Sequence, residues 1–177
     1  ASGDFHISAL SPCSEAGDST YRYNPDTDID LQPRLAGTAV EIGADEIAQV
    51  LVFTTQPLGG SKGSPLSRQP AVSVEDGYGN VFTNAIGMVT VALTSGSGTP
   101  GAALTGTKTV SLVAGVATYT DLAVSLGGTG YTLDASSADM AMVVSAGFTV
   151  TVPVVRVSTL GNDQNEGTAW DAPKRTV

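Results

Sequence analysis

The chain is poor in several residue types, since its 177 residues include one cysteine, one histidine and three lysines. Because Cys13 has no second cysteine to pair with, an internal disulfide is excluded and the fold must be held by its core. The net charge of −9 argues against binding to nucleic acid, which needs clustered lysine and arginine. No apolar run reaches the roughly 18 residues of a membrane-spanning helix, so membrane insertion is not expected.

Charged residues are scarce as well, at 14% of the chain against roughly 25% in an average soluble domain. Glycine, threonine, serine, valine and alanine dominate instead, which suits short strands joined by tight turns and disfavours helices. An acidic surface with few lysines favours an extracellular or cell-surface location. The start "ASGDFHISAL" has no signal-peptide pattern, so we expect an internal or processed piece of a longer protein.

Seven segments in the middle of the chain alternate apolar and polar residues, as antiparallel strands do when one face is buried. They are residues 49–56, 70–76, 87–95, 107–113, 115–124, 130–137 and 147–154. In the third segment, Val89, Val91 and Leu93 are expected to face the core together. Turn-forming sequences such as "EDGYGN" separate most of the segments. The pattern predicts an all-β fold whose antiparallel sheets pack face to face.

The order of these segments within residues 49–153 is distinctive. It reads "LVFTTQP", "PAVSVEDGYGNVF", "VTVALTSGSG", "LTGTKTVSLVAGVATYTDLAVSLGGTGYTLDASS" and "FTVTV". This order resembles the bacterial Ig-like domains found in large surface proteins. The resemblance implies a seven-stranded Ig-like antiparallel β-sandwich with extended flanking segments. The Cys and Trp of antibody-type domains are absent from this region, so the likeness is to the fold and not to the antibody family.

The two ends of the chain carry different motifs. In residues 1–48, an "SP…AGD" turn is followed by "DTDID" and by "IGADE". In residues 154–177, a valine-rich stretch precedes "GNDQNEGTAW". These motifs resemble the end and the start of right-handed parallel β-helix proteins of bacterial surfaces. Pieces of a solenoid lack the neighbours that bury their core, so we expect them to dock on the sandwich, pair with another copy or stay partly loose.

A catalytic site has few candidates in this sequence. His6 would have to serve any Ser-His-Asp site, with Ser8 or Ser11 as nucleophile, but "DFHIS" alternates as a strand does, which favours a structural role. Cys13 has no basic neighbour closer in sequence than Arg22, so nothing indicates a reactive thiol. No nucleophile elbow, zinc-protease or phosphate-loop motif occurs. We therefore predict that the chain is not an enzyme.

Alternate carboxylates at Asp26, Asp28 and Asp30 offer hard oxygen ligands of the kind that Ca²⁺ prefers. On one face of a strand these charges would repel one another unless a cation or Arg34 offset them. The EF-hand pattern is excluded because the glycine and the glutamate that its loop requires are absent. A second oxygen-rich loop contains Asp163, and turn formation explains that loop equally well. Calcium at these four aspartates is retained as a hypothesis.

Carbohydrate sites generally present a flat row of aromatic rings, and aromatic residues make up only 6% of this chain. Tyr21 and Tyr23 are two positions apart and could face the same way. Tyr119, Tyr131 and Phe148 fall at core positions of predicted strands, so core filling is their expected role.

Together these observations predict an extracellular structural module that spaces or assembles larger surface units. Its partners would be copies of itself or neighbouring domains of the parent protein. If the N-terminal piece of one copy complements the C-terminal piece of the next, strand addition would build a head-to-tail fibre. The alternative is a Ca²⁺-dependent adhesin module that binds carbohydrate or another surface.

Overall fold

A computed structural model describes residues 7–14, 16–18, 20, 27–28, 40, 42, 47–138 and 140–154. Across these residues the regular secondary structure is β, with eleven strands and no helix, which confirms the all-β prediction. The strands are β1 (Val50–Thr55), β2 (Ala71–Glu75), β3 (Met88–Leu93), β4 (Leu104–Thr105), β5 (Thr109–Ser111), β6 (Val116–Thr118), β7 (Ala123–Val124), β8 (Gly128–Tyr131), β9 (Leu133–Ser137), β10 (Met140–Val144) and β11 (Phe148–Val150).

The strands form two larger sheets and two short ladders. One sheet has the strand order β1-β2-β6 and the other has the order β10-β9-β3-β5, with every neighbouring pair antiparallel. In the first sheet, Ser73 of β2 lies between Val52 of β1 and Val116 of β6. In the second, Val91 of β3 lies opposite Ala135 of β9. The short ladders join β8 to β11 and β4 to β7.

Alternating side chains from both larger sheets meet in one core. In β3, Val89 and Val91 are fully buried and Leu93 packs against the core, while Met88 points to water, so the predicted inward face of this strand is confirmed. Burial of each valine stabilises the fold by about 1.5–3 kcal/mol. The Tyr119 hydroxyl donates to the backbone oxygen of Val89 at 2.8 Å and thereby joins the two sheets. We refer to the two sheets and their shared core as the sandwich.

Two predicted strands are each divided, because the chain changes its hydrogen-bond partner. Segment 115–124 becomes β6, which pairs with β2, and β7, which pairs with β4. Segment 130–137 becomes β8, which pairs with β11, and β9, which lies between β3 and β10. Period-two alternation reports the direction of side chains and not the identity of the neighbouring strand. A change of partner therefore leaves the pattern intact.

Two further strands were not predicted. β4 has only two residues, too few for any periodicity to show. β10 reads "MAMVV", a continuous apolar run without alternation, and it forms the edge of the four-stranded sheet. Its identity as a strand depends on pairing with β9 after the turn at residue 138, which no local pattern reveals.

The register places the beginning and the end of the sandwich at opposite poles. The β1–β2 ladder starts at Val50 and continues past β1 to a bridge between Leu58 and Arg68. Just beyond this bridge, the backbone N–H of Thr151 donates to the oxygen of Gly60 at 2.8 Å. We call the end at Val50 the proximal pole and the end at Gly60 and Thr151 the distal pole. The chain thus enters the sandwich at one pole and leaves it at the other.

Candidate functional site

The turn "EDGYGN" after β2 is organised around one buried carboxylate. Asp76 is 2% exposed. Its Oδ1 accepts the backbone N–H groups of Tyr78 at 2.8 Å and Asn80 at 2.9 Å. Its Oδ2 accepts Asn80 Nδ2 at 2.9 Å and the backbone N–H of Ala9 at 3.1 Å. Burial alone would raise the pKa of Asp76, but these hydrogen bonds outweigh burial and hold the pKa below its ordinary value.

The hydrogen bond from Ala9 joins the N-terminal segment to the proximal pole. Ile7 and Ala9 pack against the core, and the backbone N–H of Ser11 donates to the oxygen of Ser8 at 2.8 Å, which closes a turn that contains Ala9. Residues 7–14 therefore dock on the sandwich, the first of the three outcomes expected for this segment. We name Ala9, Asp76 and Asn80 the proximal clasp. Because protein donors occupy both of its carboxylate oxygens, the clasp is a structural joint.

The predicted calcium ligands are only partly within the structure. Asp28 is described and is 7% exposed. Asp26, Asp30 and Asp163 lie outside the described residues, so the calcium site stays a prediction. Among the residues that are described, no three side chains of His, Cys, Asp or Glu come together as a metal site would require.

The catalytic candidates give no assembled site in the described residues. His6 lies outside them, while Cys13 is a half-buried free thiol. Ser8 and Ser11 belong to the docked turn, where the backbone oxygen of Ser8 accepts the Ser11 N–H. The prediction that the chain is not an enzyme stays a prediction.

The core-filling role predicted for three aromatic residues is confirmed. Tyr119, Tyr131 and Phe148 are all at most 5% exposed, and the rings of Tyr131 and Phe148 stack at 5.8 Å. Burial raises the pKa of the Tyr119 hydroxyl far above its ordinary value, so it stays a neutral hydrogen-bond donor. Tyr21 and Tyr23 lie outside the described residues, whereas Tyr78 is exposed on the turn after β2.

The outer face of the four-stranded sheet is the surface that sequence reasoning missed. Its outward side chains are exposed except for Asp134, which is half-buried, and they are mostly apolar or hydroxyl-bearing. They are Met88, Thr90, Ala92, Thr109, Ser111, Asp134, Ser136, Met142 and Val144, and the register extends them to Ile86 and Val113. We call this surface the open face. The alternation of β3 was visible in the sequence, but the unpredicted strand β10 concealed the full width of the face.

Comparison with known proteins adds no assignment, because neither a family model nor a curated protein matches the chain. In the described part of the chain, no helix has the length and apolarity needed to cross a membrane. The features from which a function can be inferred are therefore the poles, the proximal clasp and the open face.

Proposed function

We propose that residues 49–153 form an Ig-like sandwich. In the Ig fold, strands A, B and E share one sheet, and strands C, F and G share the other. In the present chain, β1, β2 and β6 would take the places of A, B and E, and β3, β9 and β10 those of C, F and G. β5 lies beside β3, where the C′ strand of variable-type Ig domains lies and not beside β6 as strand D would, so the likeness rests on the order of the other six strands. The strand order supports the proposal.

The function that we propose is that of an extracellular structural module, which spaces or assembles larger surface units. The observation that carries the proposal is the position of Val50 and Thr151, near the beginning and the end of the sandwich, at opposite poles. A module entered at one pole and left at the other adds its own length to the distance between the units that it joins. From Val50 to Gly60, extended backbone would cover about 33 Å at ~3.3 Å per residue.

For assembly, we propose head-to-tail strand complementation between the N-terminal segment of one copy and the C-terminal segment of the next. Two observations support it. Residues 7–14 dock at the proximal pole, whereas residue 154 follows the distal pole. The distal pole also carries Lys62 and Arg68, while Glu75 lies beside Val50 at the proximal pole, so opposite charges would face each other in a stack.

Spacing is tested by small-angle scattering on two copies of residues 1–177 fused in tandem. We expect a maximum dimension close to twice that of the single chain. A compact, side-by-side particle would contradict the spacer.

Assembly is tested by electron microscopy of the purified chain over a range of concentrations and salt. We expect fibres that lengthen with concentration and shorten with salt, because screening weakens the contact between charged poles. Arg68→Glu should suppress them, whereas Lys108→Glu, which removes a cation beside β5, should not. Monodisperse monomers at every concentration would overturn the assembly proposal.

A further inference from the structure

The open face combines exposed apolar side chains with neutral hydroxyls. We propose that it is a docking surface for a second copy of this chain, which packs its own open face against it. Five large apolar side chains here are between 48% and 75% exposed; they are Ile86, Met88, Val113, Met142 and Val144. Exposed apolar surface that is gathered in one place marks an interaction site. We choose a second copy as the partner because the proposed function is self-assembly. The open face would add a lateral contact to that assembly.

The register arranges the apolar side chains in two ridges. On one side, Ile86 lies just before β3 and Met88 begins it, and Val113 lies across from Ile86 when the pairing of Met88 with Ser111 is extended through the hydrogen bond from Leu112 to Gly87. On the other side, Val144 lies opposite Asp134, with Met142 two positions before it in β10.

Small hydroxyl side chains lie between these ridges. They belong to Thr90 and Ser136, which are direct cross-strand neighbours on the two central strands, while Thr109 and Ser111 continue the hydroxyl surface onto the edge strand β5. Because long side chains flank a trough of short ones, a two-fold rotation can place a ridge of one copy in the trough of the other. Two sheets that pack in this way lie about 10 Å apart with interdigitated side chains.

The charge distribution favours the same partner. Two copies that each carry a net charge of −9 repel each other, and the repulsion is weakest where carboxylates are fewest. Among the carboxylates that the structure describes, Asp134 is the one that belongs to a strand of the four-stranded sheet, and it accepts a hydrogen bond from Thr94 Oγ1 at 2.5 Å. Within the described residues, the strands of the open face thus carry few carboxylates, which lowers the electrostatic cost of bringing two acidic copies together there.

The composition of the face favours protein over carbohydrate. None of its outward positions carries an aromatic ring on which a sugar could stack. Methionine instead provides flexible apolar contacts and is enriched in protein interfaces.

The size of the face sets the expected strength of the contact. Four strands spaced by ~4.8 Å and about six residues at ~3.4 Å give a patch of roughly 20 by 20 Å. Two such patches bury on the order of 1,000 Å², which is at the lower limit for a specific interface. We therefore expect a weak dimer whose population depends on concentration in the micromolar to millimolar range.

Sedimentation velocity of the full chain over that range tests the dimer. In a two-fold contact each substitution removes two side chains, so Met88→Glu or Met142→Glu should raise the dissociation constant roughly a hundredfold. Thr118→Glu is the matched control, because Thr118 is exposed on the outward side of β6 in the other sheet and the added charge is the same. Equal effects of all three substitutions, or a monomer at every concentration, would overturn the inference.

A cysteine trap tests the geometry of the contact. In a Cys13→Ser background, Ser136→Cys places a thiol in the trough near the two-fold axis, and mild oxidation should give a covalent dimer. Thr118→Cys, exposed on the outward side of β6 in the other sheet, is the control and should stay monomeric. Equal cross-linking of the two variants would contradict the proposed face.

The two proposals fail in different ways. Fibres that persist with Met88→Glu and Met142→Glu, in a chain without a face-to-face dimer, leave head-to-tail assembly standing and overturn the lateral contact. A dimer trapped through Ser136→Cys in a chain that never forms fibres leaves the lateral contact standing and removes the end-to-end assembly.

Discussion

The two larger sheets have similar inner faces but different outer faces. In the middle of the three-stranded sheet, Ser73 points away from the core and is nevertheless 0% exposed. In the middle of the four-stranded sheet, Thr90 occupies the same kind of position and is exposed. Position within a sheet therefore does not decide exposure. The polarity of the neighbours across the ladder is one difference between the two positions.

Those neighbours differ in size and in polarity. Ser73 lies between two valines, Val52 and Val116, and its hydroxyl donates to Glu75 Oε1 at 2.5 Å. Thr90 lies between the hydroxyl residues Thr109 and Ser136 and is exposed. The central position of the three-stranded sheet is thus shielded from water, while the corresponding position of the open face is exposed.

The largest effect should come from placing a charge at the two matched positions. Ser73→Asp would put a second carboxylate beside Glu75 at a fully buried position, and we expect it to cost about 3 kcal/mol or more of the free energy of unfolding. Thr90→Asp, at an exposed position, should change that free energy by no more than about 0.5 kcal/mol. Urea denaturation measures both. Similar losses for the two variants would abolish the distinction between the faces.

The next effect concerns the turn that closes the three-stranded sheet at the proximal pole. Asp76→Asn removes the charge that accepts four hydrogen bonds and should cost about 2 kcal/mol at neutral pH. Because the folded pKa of Asp76 is lowered from 3.8, its contribution is present above about pH 4 and is lost as the pH falls through the folded pKa. The free energy of unfolding of the variant should therefore fall less steeply below pH 4 than that of the parent chain.

Asp121→Asn is the control for this acid dependence. Asp121 accepts the Thr107 backbone N–H at 2.8 Å and the Thr107 hydroxyl at 2.9 Å, which hold its pKa below its ordinary value at an exposed site. In thermal melts across the acidic range, the pH dependence of the melting temperature should change less in Asp121→Asn than in Asp76→Asn. If Asp76→Asn loses stability below pH 4 as steeply as the parent chain does, the clasp does not govern stability in acid.

The sequence predicted the inner side of the fold better than its outer surface. The alternation in β3 placed Val89 and Val91 in the core, because burial of one strand face is a local property of the chain. The "EDGYGN" turn was also visible, but its anchoring of Ala9 was not, since that hydrogen bond joins residues 67 positions apart. The open face was missed because it depends on β10, whose uniform apolar sequence has no periodicity.

A smaller effect on the free energy of unfolding is expected from removing the hydrogen bond in the core that joins the two sheets. Tyr119→Phe removes the hydroxyl that donates to Val89 and should cost about 1 kcal/mol, because it leaves the packing of the ring intact. Amide exchange should quicken in both β3 and β6 if the bond couples the sheets. Tyr131→Phe is the control, because its hydroxyl bonds to Leu126 at 2.8 Å within one end of the molecule. Faster exchange in only one sheet would contradict the coupling.

The smallest effect on stability is expected when hydroxyl groups of the open face are removed. This change separates their contribution to folding from their contribution to association. Thr90 and Thr109 share a hydrogen bond of 2.8 Å between their hydroxyls at an exposed site, so exchanging both for valine should alter the free energy of unfolding by less than about 1 kcal/mol. Association should respond differently, because two apolar side chains then line the trough and the dissociation constant of the dimer should fall. The exposed Thr118 of the other sheet provides the control as Thr118→Val, which adds an equivalent methyl group away from the trough. If association tightens with Thr90→Val and Thr109→Val but not with Thr118→Val, the hydroxyls limit the strength of a contact made at this face. If Thr118→Val tightens association equally, the effect is one of general surface hydrophobicity.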